Sequence, residues 1–301
     1  MKIPFASLVA LTTLIFTAQA DEVIAPGAKL QKLSGHLKFA EGPTCDAHGN
    51  LFFSDQPNNR LMEWSAAGKL STFMQPAGRI NGMMFDARGN LIACAEEKNQ
   101  LWSIAPDKTV SILITNFQSR RLYGPNDVWV APNGGLYITD AFYRRGWADP
   151  TVQHVSSEQV FYLSPDRKNL RWVTDDLKKP NGITGTPDGK NLYVSDIRAE
   201  QTWRYDILPD GLLTNKTLFC DKGSDGMTID AEGNLYLTAR GLTNGVSIFN
   251  SVGKMIGHID VPEIWSANVC FGGADHKTLF ITASEGLYSI RMNVRGANVA
   301  K

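Results

Sequence analysis

Six oxygen-bearing side chains recur along the chain in one local setting. Glu41 opens E-G-P-T-C-D-A-H-G-N-L-F-F-S-D, Asn81 opens N-G-M-M-F-D-A-R-G-N-L-I-A-C-A, and Asn126 opens N-D-V-W-V-A-P-N-G-G-L-Y-I-T-D. Asn181 opens N-G-I-T-G-T-P-D-G-K-N-L-Y-V-S-D, Asp225 opens D-G-M-T-I-D-A-E-G-N-L-Y-L-T-A, and Asn268 opens N-V-C-F-G-G-A-D-H-K-T-L-F-I-T-A. They follow one another at 40, 45, 55, 44 and 43 residues. No Lys, Arg or His occupies any of the six positions. Two carboxylates and four carboxamides brought to one point form a hard-oxygen set, which suits Ca2+, Mg2+ or Mn2+ rather than zinc or copper. The two carboxylates would balance a divalent charge. The plain alternative is that each Asn or Asp caps a strand start. A Glu in the same register is a poor turn residue and fits that alternative badly.

The elements around these residues read as strands. About four apolar residues precede a turn of the Asp-Ala-x-Gly-Asn or Pro-Asp-Gly kind, whose residues tolerate positive φ or bond their own backbone. The runs that follow, such as L-F-F-S-D, L-Y-I-T-D and L-Y-V-S-D, are β-branched and aromatic, as a pleated sheet requires. A third strand (R-L-M-E-W, Q-L-W-S-I, V-F-Y-L, T-W-R-Y, V-S-I-F, L-Y-S-I) and usually a fourth complete each unit. A self-similar unit of this length built from strands signals a β-propeller blade. Six phrases therefore predict an all-β, six-bladed β-propeller of four-stranded antiparallel blades, with the six side chains lining its central channel. The last blade supplies only three strands, so the segment Ala28 to Leu33 is expected to close the ring as its outer strand.

The rest of the chain sets bounds. Met1 to Ala20 carries Lys2, an apolar stretch and Ala18-Gln19-Ala20 before Asp21, the pattern of a cleaved export signal. Residues 21–301 then form one domain, expected in a bacterial periplasm. With 30 basic and 30 acidic side chains there is no charge excess to hold nucleic acid or an anionic membrane. Of the four cysteines, Cys94 falls in a small-residue slot with Ser54, Thr139, Ser195, Thr238 and Thr282. Cys45 and Cys270 lie on neighbouring inner strands at even offsets from Glu41 and Asn268. That parity predicts side chains facing apart and argues against a bridge. Between Asp140 and His154 the third unit holds about ten extra residues, A-F-Y-R-R-G-W among them, which read as a wall or lid over a pocket or as a solvated loop. Arg120 and Arg121 read equally as surface charges or substrate-orienting donors.

Together E-G-P, F-S-D, R-R-L-Y-G-P-N-D, K-P-N-G-I, S-D-G-M-T-I-D-A-E-G-N-L-Y and N-V-C-F-G-G resemble the family of gluconolactonase, senescence marker protein and luciferin-regenerating enzyme, from about Leu30 to Ile290. The likeness is strongest to bacterial gluconolactonases. It implies a lactonase, a hydrolase of carboxylic esters, with one divalent metal, usually Ca2+; Mg2+, Mn2+ and Zn2+ stay open. It implies Glu41, Asn181 and Asp225 as ligands, and Asn126 as a ligand or substrate contact. Asp127, Asn81 and Arg121 are assigned with Asn126 to binding a small-molecule lactone, and Asp225 doubles as the base that activates water. The usual T-D-P-P-Y-G is here T-D-A-F-Y-R-R-G, which leaves the substrate open. G-x-S-x-G is absent and the five histidines are scattered, so no nucleophilic triad competes. An esterase or phosphotriesterase on the same metal, or a non-catalytic propeller plugged by calcium, are the alternatives.

Overall fold

The computed structural model describes residues 23–147, 151–241 and 244–297; the export signal proposed for residues 1–20 lies outside them. Six four-stranded sheets, each an antiparallel meander, follow one another around an axis. Their innermost strands are Ala40–Cys45, Ile80–Phe85, Pro125–Val130, Pro180–Gly185, Met227–Ile229 and Ser266–Gly272. Each repeat phrase thus supplies the two inner strands of one blade. The turn between them is held by its own side chains. In blade two the Asp86 carboxylate accepts the backbone N–H groups of Arg88 and Asn90 and the Asn90 amide. Gly89 there stands at φ +78°, a conformation that side-chain-bearing residues rarely adopt.

The ring closes as the three-strand count predicts. Blade six reads, from axis to rim, Ser266–Gly272, Thr278–Ala283, Gly286–Arg291 and then Gln31–Ser34. The closing strand begins at Gln31, three residues later than expected, with Gln31 opposite Ser289 and Lys32 opposite Tyr288. Ahead of it, Val23 is buried among Met292, Val269 and Ile281, so the segment leading into the closing strand is tied to the core as well as to the sheet edge. Closure leaves that edge paired, which removes a site for adventitious strand addition.

The core lies between blades as well as within them. Leu51, Phe53 and Met62 of blade one pack with Phe280 and Leu287 of blade six, and Trp129 and Tyr137 of blade three pack with Ile183, Leu192 and Val194 of blade four. Ser54, Cys94, Thr139, Ser195, Thr238 and Thr282 are all fully buried, as a small-residue slot requires. Among the described residues the four cysteines are free thiols. Cys45 and Cys270, however, do not face apart: both pack in one cluster, and burial, followed by interaction with Cys45, pushes the Cys270 thiol well up. The parity argument fails because the pairing of the first two strands slips between Glu41 and Thr44. One irregular residue inverts every side chain beyond it.

Candidate active site

The same irregularity recurs in other blades and aims the ring side chains. Register shifts fall between Ile80 and Met83, Pro125 and Val128, Pro180 and Ile183, and Ser266 and Asn268. Asn81, Asn126 and Asn181 therefore sit in bulges, which turn a strand side chain out of the ladder, and Glu41, paired with Ser54, borders one. Slot hydroxyls compensate two of the ring-side N–H groups: Thr139 Oγ1 accepts from Asp127 N at 3.1 Å, and Thr238 Oγ1 from Gly226 N at 2.9 Å. Close approach of the strands demands glycine after several ring residues. A Cβ on Gly82 would overlap the Asp127 carboxyl, and one on Gly42 would overlap the Asn81 carbonyl.

A second aspartate clamps three of these strands from outside the ring. Asp55, Asp140 and Asp196 end the second strands of blades one, three and four. Asp55 accepts the N–H groups of Lys38 and Phe39, ahead of Glu41. Asp140 accepts those of Tyr123 at 2.9 Å and Gly124 at 2.7 Å, ahead of Asn126, and Asp196 those of Lys178 and Lys179, ahead of Asn181. Blades two, five and six have Ala95, Ala239 and Ala283 in that place. Burial would raise the Asp55 carboxyl, but Arg60, Asn58 and the two backbone donors outweigh it and hold it below the usual range. Asp140 has no such arginine, and burial pushes it up to about 7 against its two N–H donors.

At the ring itself, Glu41, Asn81, Asn126, Asn181 and Asn268 are buried and Asp225 is partly exposed. Asn181 Nδ2 donates to Asp225 Oδ1 at 2.7 Å, and Trp265 Nε1 donates to Asp225 Oδ2 at 2.6 Å. Burial lifts Asp225 to about 6 against those two bonds and the charges of Arg145 and Arg240. Burial, then the negative charge of Asp225, lifts Glu41 well above the carboxylate range, against the N–H of Gly42. Asp127 stands where blades one, two, four and five have glycine. It lines the axial cavity with Met83, Trp129 and Asn268, accepts from Asn268 Nδ2 at 3.4 Å, and is raised by burial to about 7. Arg121 is not brought to the ring: its guanidinium donates to the Lys98 carbonyl, and its backbone pairs with Gln153 and Val155.

A guanidinium that does act on both Glu41 and Asp225 is that of Arg145, in the long blade-three loop. It pairs with the buried Glu96 at 2.9 Å and stacks on Tyr143 and Trp147, while Tyr143 Oη accepts from Asn181 Nδ2 at 2.7 Å. The contacts of residues 141–147 therefore support the wall-or-lid reading over that of a solvated loop; residues 148–150 lie outside the described residues. Sequence reasoning passed over Trp265, Tyr143, Arg145 and Glu96 as individuals. Glu96 alone had a signal: it occupies the phrase position of Gln56, and the two side chains bond at 2.7 Å.

The donor set fits a hard divalent cation. Among the described residues no three His, Cys, Asp or Glu side chains converge as a metal cage, so carboxamides must complete the two carboxylates. Asn181 Oδ1 is buried with no hydrogen-bond partner, and the Glu41 and Asp225 carboxyls repel each other. An orphaned buried acceptor beside two like charges is what a cation would relieve.

Six closed four-stranded blades, with two carboxylates and four carboxamides at the starts of their inner strands, define a six-bladed β-propeller. Residues 39–285 match the SMP-30/Gluconolactonase/LRE-like region, and the chain belongs to that family. It is 29% identical to a gluconolactonase of Zymomonas mobilis, over 93% of this chain and 86% of that protein. A lactonase drp35 of Staphylococcus saprophyticus is 24% identical, over 61% of this chain and 70% of its own. The solved structure of a gluconolactonase from Xanthomonas campestris superposes with a TM-score of 0.82 at 27% identity, covering 92% of each chain.

Proposed function

We propose that this chain opens sugar-type lactones, with water as the nucleophile, Asp225 as the base and a divalent cation, Ca2+ first, held by Glu41, Asn181, Asp225 and Asn126. The observation that carries the reading is the Asp225 carboxyl fixed between Asn181 and Trp265 beside Glu41, in a family whose named members include gluconolactonases and lactonases. A bound cation polarises an ester carbonyl and balances the charge that develops on its oxygen. Asp225 takes a proton from water as the water oxygen bonds to the carbonyl carbon. The ring carbon–oxygen bond then breaks, and the same proton returns to the departing ring oxygen, giving the open hydroxy acid. Trp265 Nε1 and Asn181 Nδ2 hold both carboxylate oxygens, so the base cannot rotate away from the water. Tyr143 and Arg145 wall the site and exclude bulk solvent on the blade-three side. Asn126, Asn81 and Asp127 orient the sugar from the channel wall. At saturating Ca2+, Asp225→Asn is expected to lower turnover about 10²-fold or more, the usual share of a positioned base. Undiminished turnover at equal metal occupancy would remove Asp225 from that role.

A further inference from the structure

Beside the cavity that holds Asp225 lies a second of about 300 Å3, walled by Tyr143, Arg144, Lys179, Arg198, Arg240 and Trp265 among others, with no carboxylate in its lining. It shares Arg240 and Trp265 with the cavity that holds Asp225. The link is direct: the Arg240 guanidinium lies 4.9 Å from the ring centre of the same indole whose N–H fixes Asp225.

The cations are not equivalent. Lys179 is occupied, paired with Glu158 at 3.1 Å and donating to the Phe142 carbonyl. Arg144, Arg198 and Arg240 are exposed, and among the described residues none of the three has an ion-pair partner. Arg240 has a second duty, since its charge steadies the Asp225 carboxylate. In a chain of balanced charge, three unpaired guanidiniums around one cavity are a local positive excess that draws an anion toward the reacting group. Guanidinium is also the donor whose planar fork matches carboxylate and phosphate oxygens.

We propose that this cavity is a subsite for an anionic group, carboxylate or phosphate, that the lactone carries away from its ring ester. The proposal deepens the lactone-hydrolase reading and rests on it for the identity of the ring. The carboxylate form would be a lactone of a sugar diacid and the phosphate form a phosphorylated aldonolactone.

Two measurements on the purified protein test it. The first compares kcat/KM for neutral D-glucono-1,5-lactone, D-glucaro-1,4-lactone and 6-phospho-D-glucono-1,5-lactone at low salt. At least one anionic lactone is expected to be preferred about tenfold or more, and the preference should collapse in high salt and in an Arg198→Gln/Arg240→Gln variant. Which anionic substrate leads distinguishes carboxylate from phosphate. A neutral lactone preferred, or a preference that survives both substitutions, overturns the subsite. The second measurement titrates 6-phosphogluconate against gluconate by calorimetry, and so reads the subsite without turnover. Tighter binding of the phosphorylated acid, lost in the double variant, supports the subsite even in a protein that opens no lactone, and in that outcome only the hydrolase reading falls. Equal affinities for the two acids, with neither anionic lactone preferred in the first measurement, overturn the subsite.

Discussion

In the proposed reaction Asp225 is the base, and its neighbours decide what it can do. A carboxylate lifted by burial to about 6 is a better proton acceptor than one in water, and Trp265 and Asn181 keep it from rising further. Trp265→Phe deletes the bond to Oδ2 while keeping an aromatic wall. The bond favours the ionised form, so its loss raises the Asp225 pKa. A base must be ionised to act, so the acid limb of the pH–rate profile is expected to move to higher pH. Loss of a hydrogen bond to a charged group also predicts a fall in kcat of about tenfold or more, with KM moving less. A Phe variant with the wild-type profile would show that Trp265 does not orient the base. No periodic signal marks this tryptophan. It stands three residues ahead of Asn268, where the other copies carry Lys38, Gly78, Tyr123, Lys178 and Lys222.

The elements that hold the ring were partly legible. The phrase L-x-x-[ST]-D is visible in blades one, three and four, but its aspartates act through backbone donors that sequence does not locate. The bulges are equally hidden, because pairing rather than composition decides where a ladder slips. Cys45 and Cys270 record the cost: an even spacing from the ring misjudged their orientation by one residue of bulge. Arg145 and Tyr143 lie in an insertion outside the repeat, where composition announced a wall but not which guanidinium would face inward. Asp140 gives this scale its prediction. Its folded value of about 7 lies above the ordinary 3.8, so its contribution to stability is full below about pH 4 and is lost as pH rises through 7. The loss is at most ~4 kcal/mol. In chelator, the Tm of the protein is expected to fall between pH 5 and 8, and Asp140→Asn should flatten that fall. An unchanged slope in the variant would contradict the assignment.

At the scale of the whole molecule, six blades that pack mainly against their neighbours make a rigid frame only when the ring is closed. The closing pair, Gln31–Ser34 on Gly286–Arg291, and the buried Val23 come from the chain's start. A chain beginning at Leu37 would expose one sheet edge and empty part of the blade-six core. A Tm lower by on the order of 10 °C is expected, as several kcal/mol would produce in a domain of this size. Equal melting of the two chains would mean that blade six needs no outer strand. The closed frame matters to function because the ring draws its oxygens from every blade, so the site exists only in the complete molecule. The most direct test of that site is the initial rate of lactone opening by the purified protein, measured on a panel of sugar lactones before chelation, after it, and after Ca2+ is restored. At least one lactone should be opened, with the rate falling about 10²-fold or more in chelator and returning with the metal. A protein that opens none of them with one Ca2+ bound, or opens them at full rate in chelator, would contradict the account.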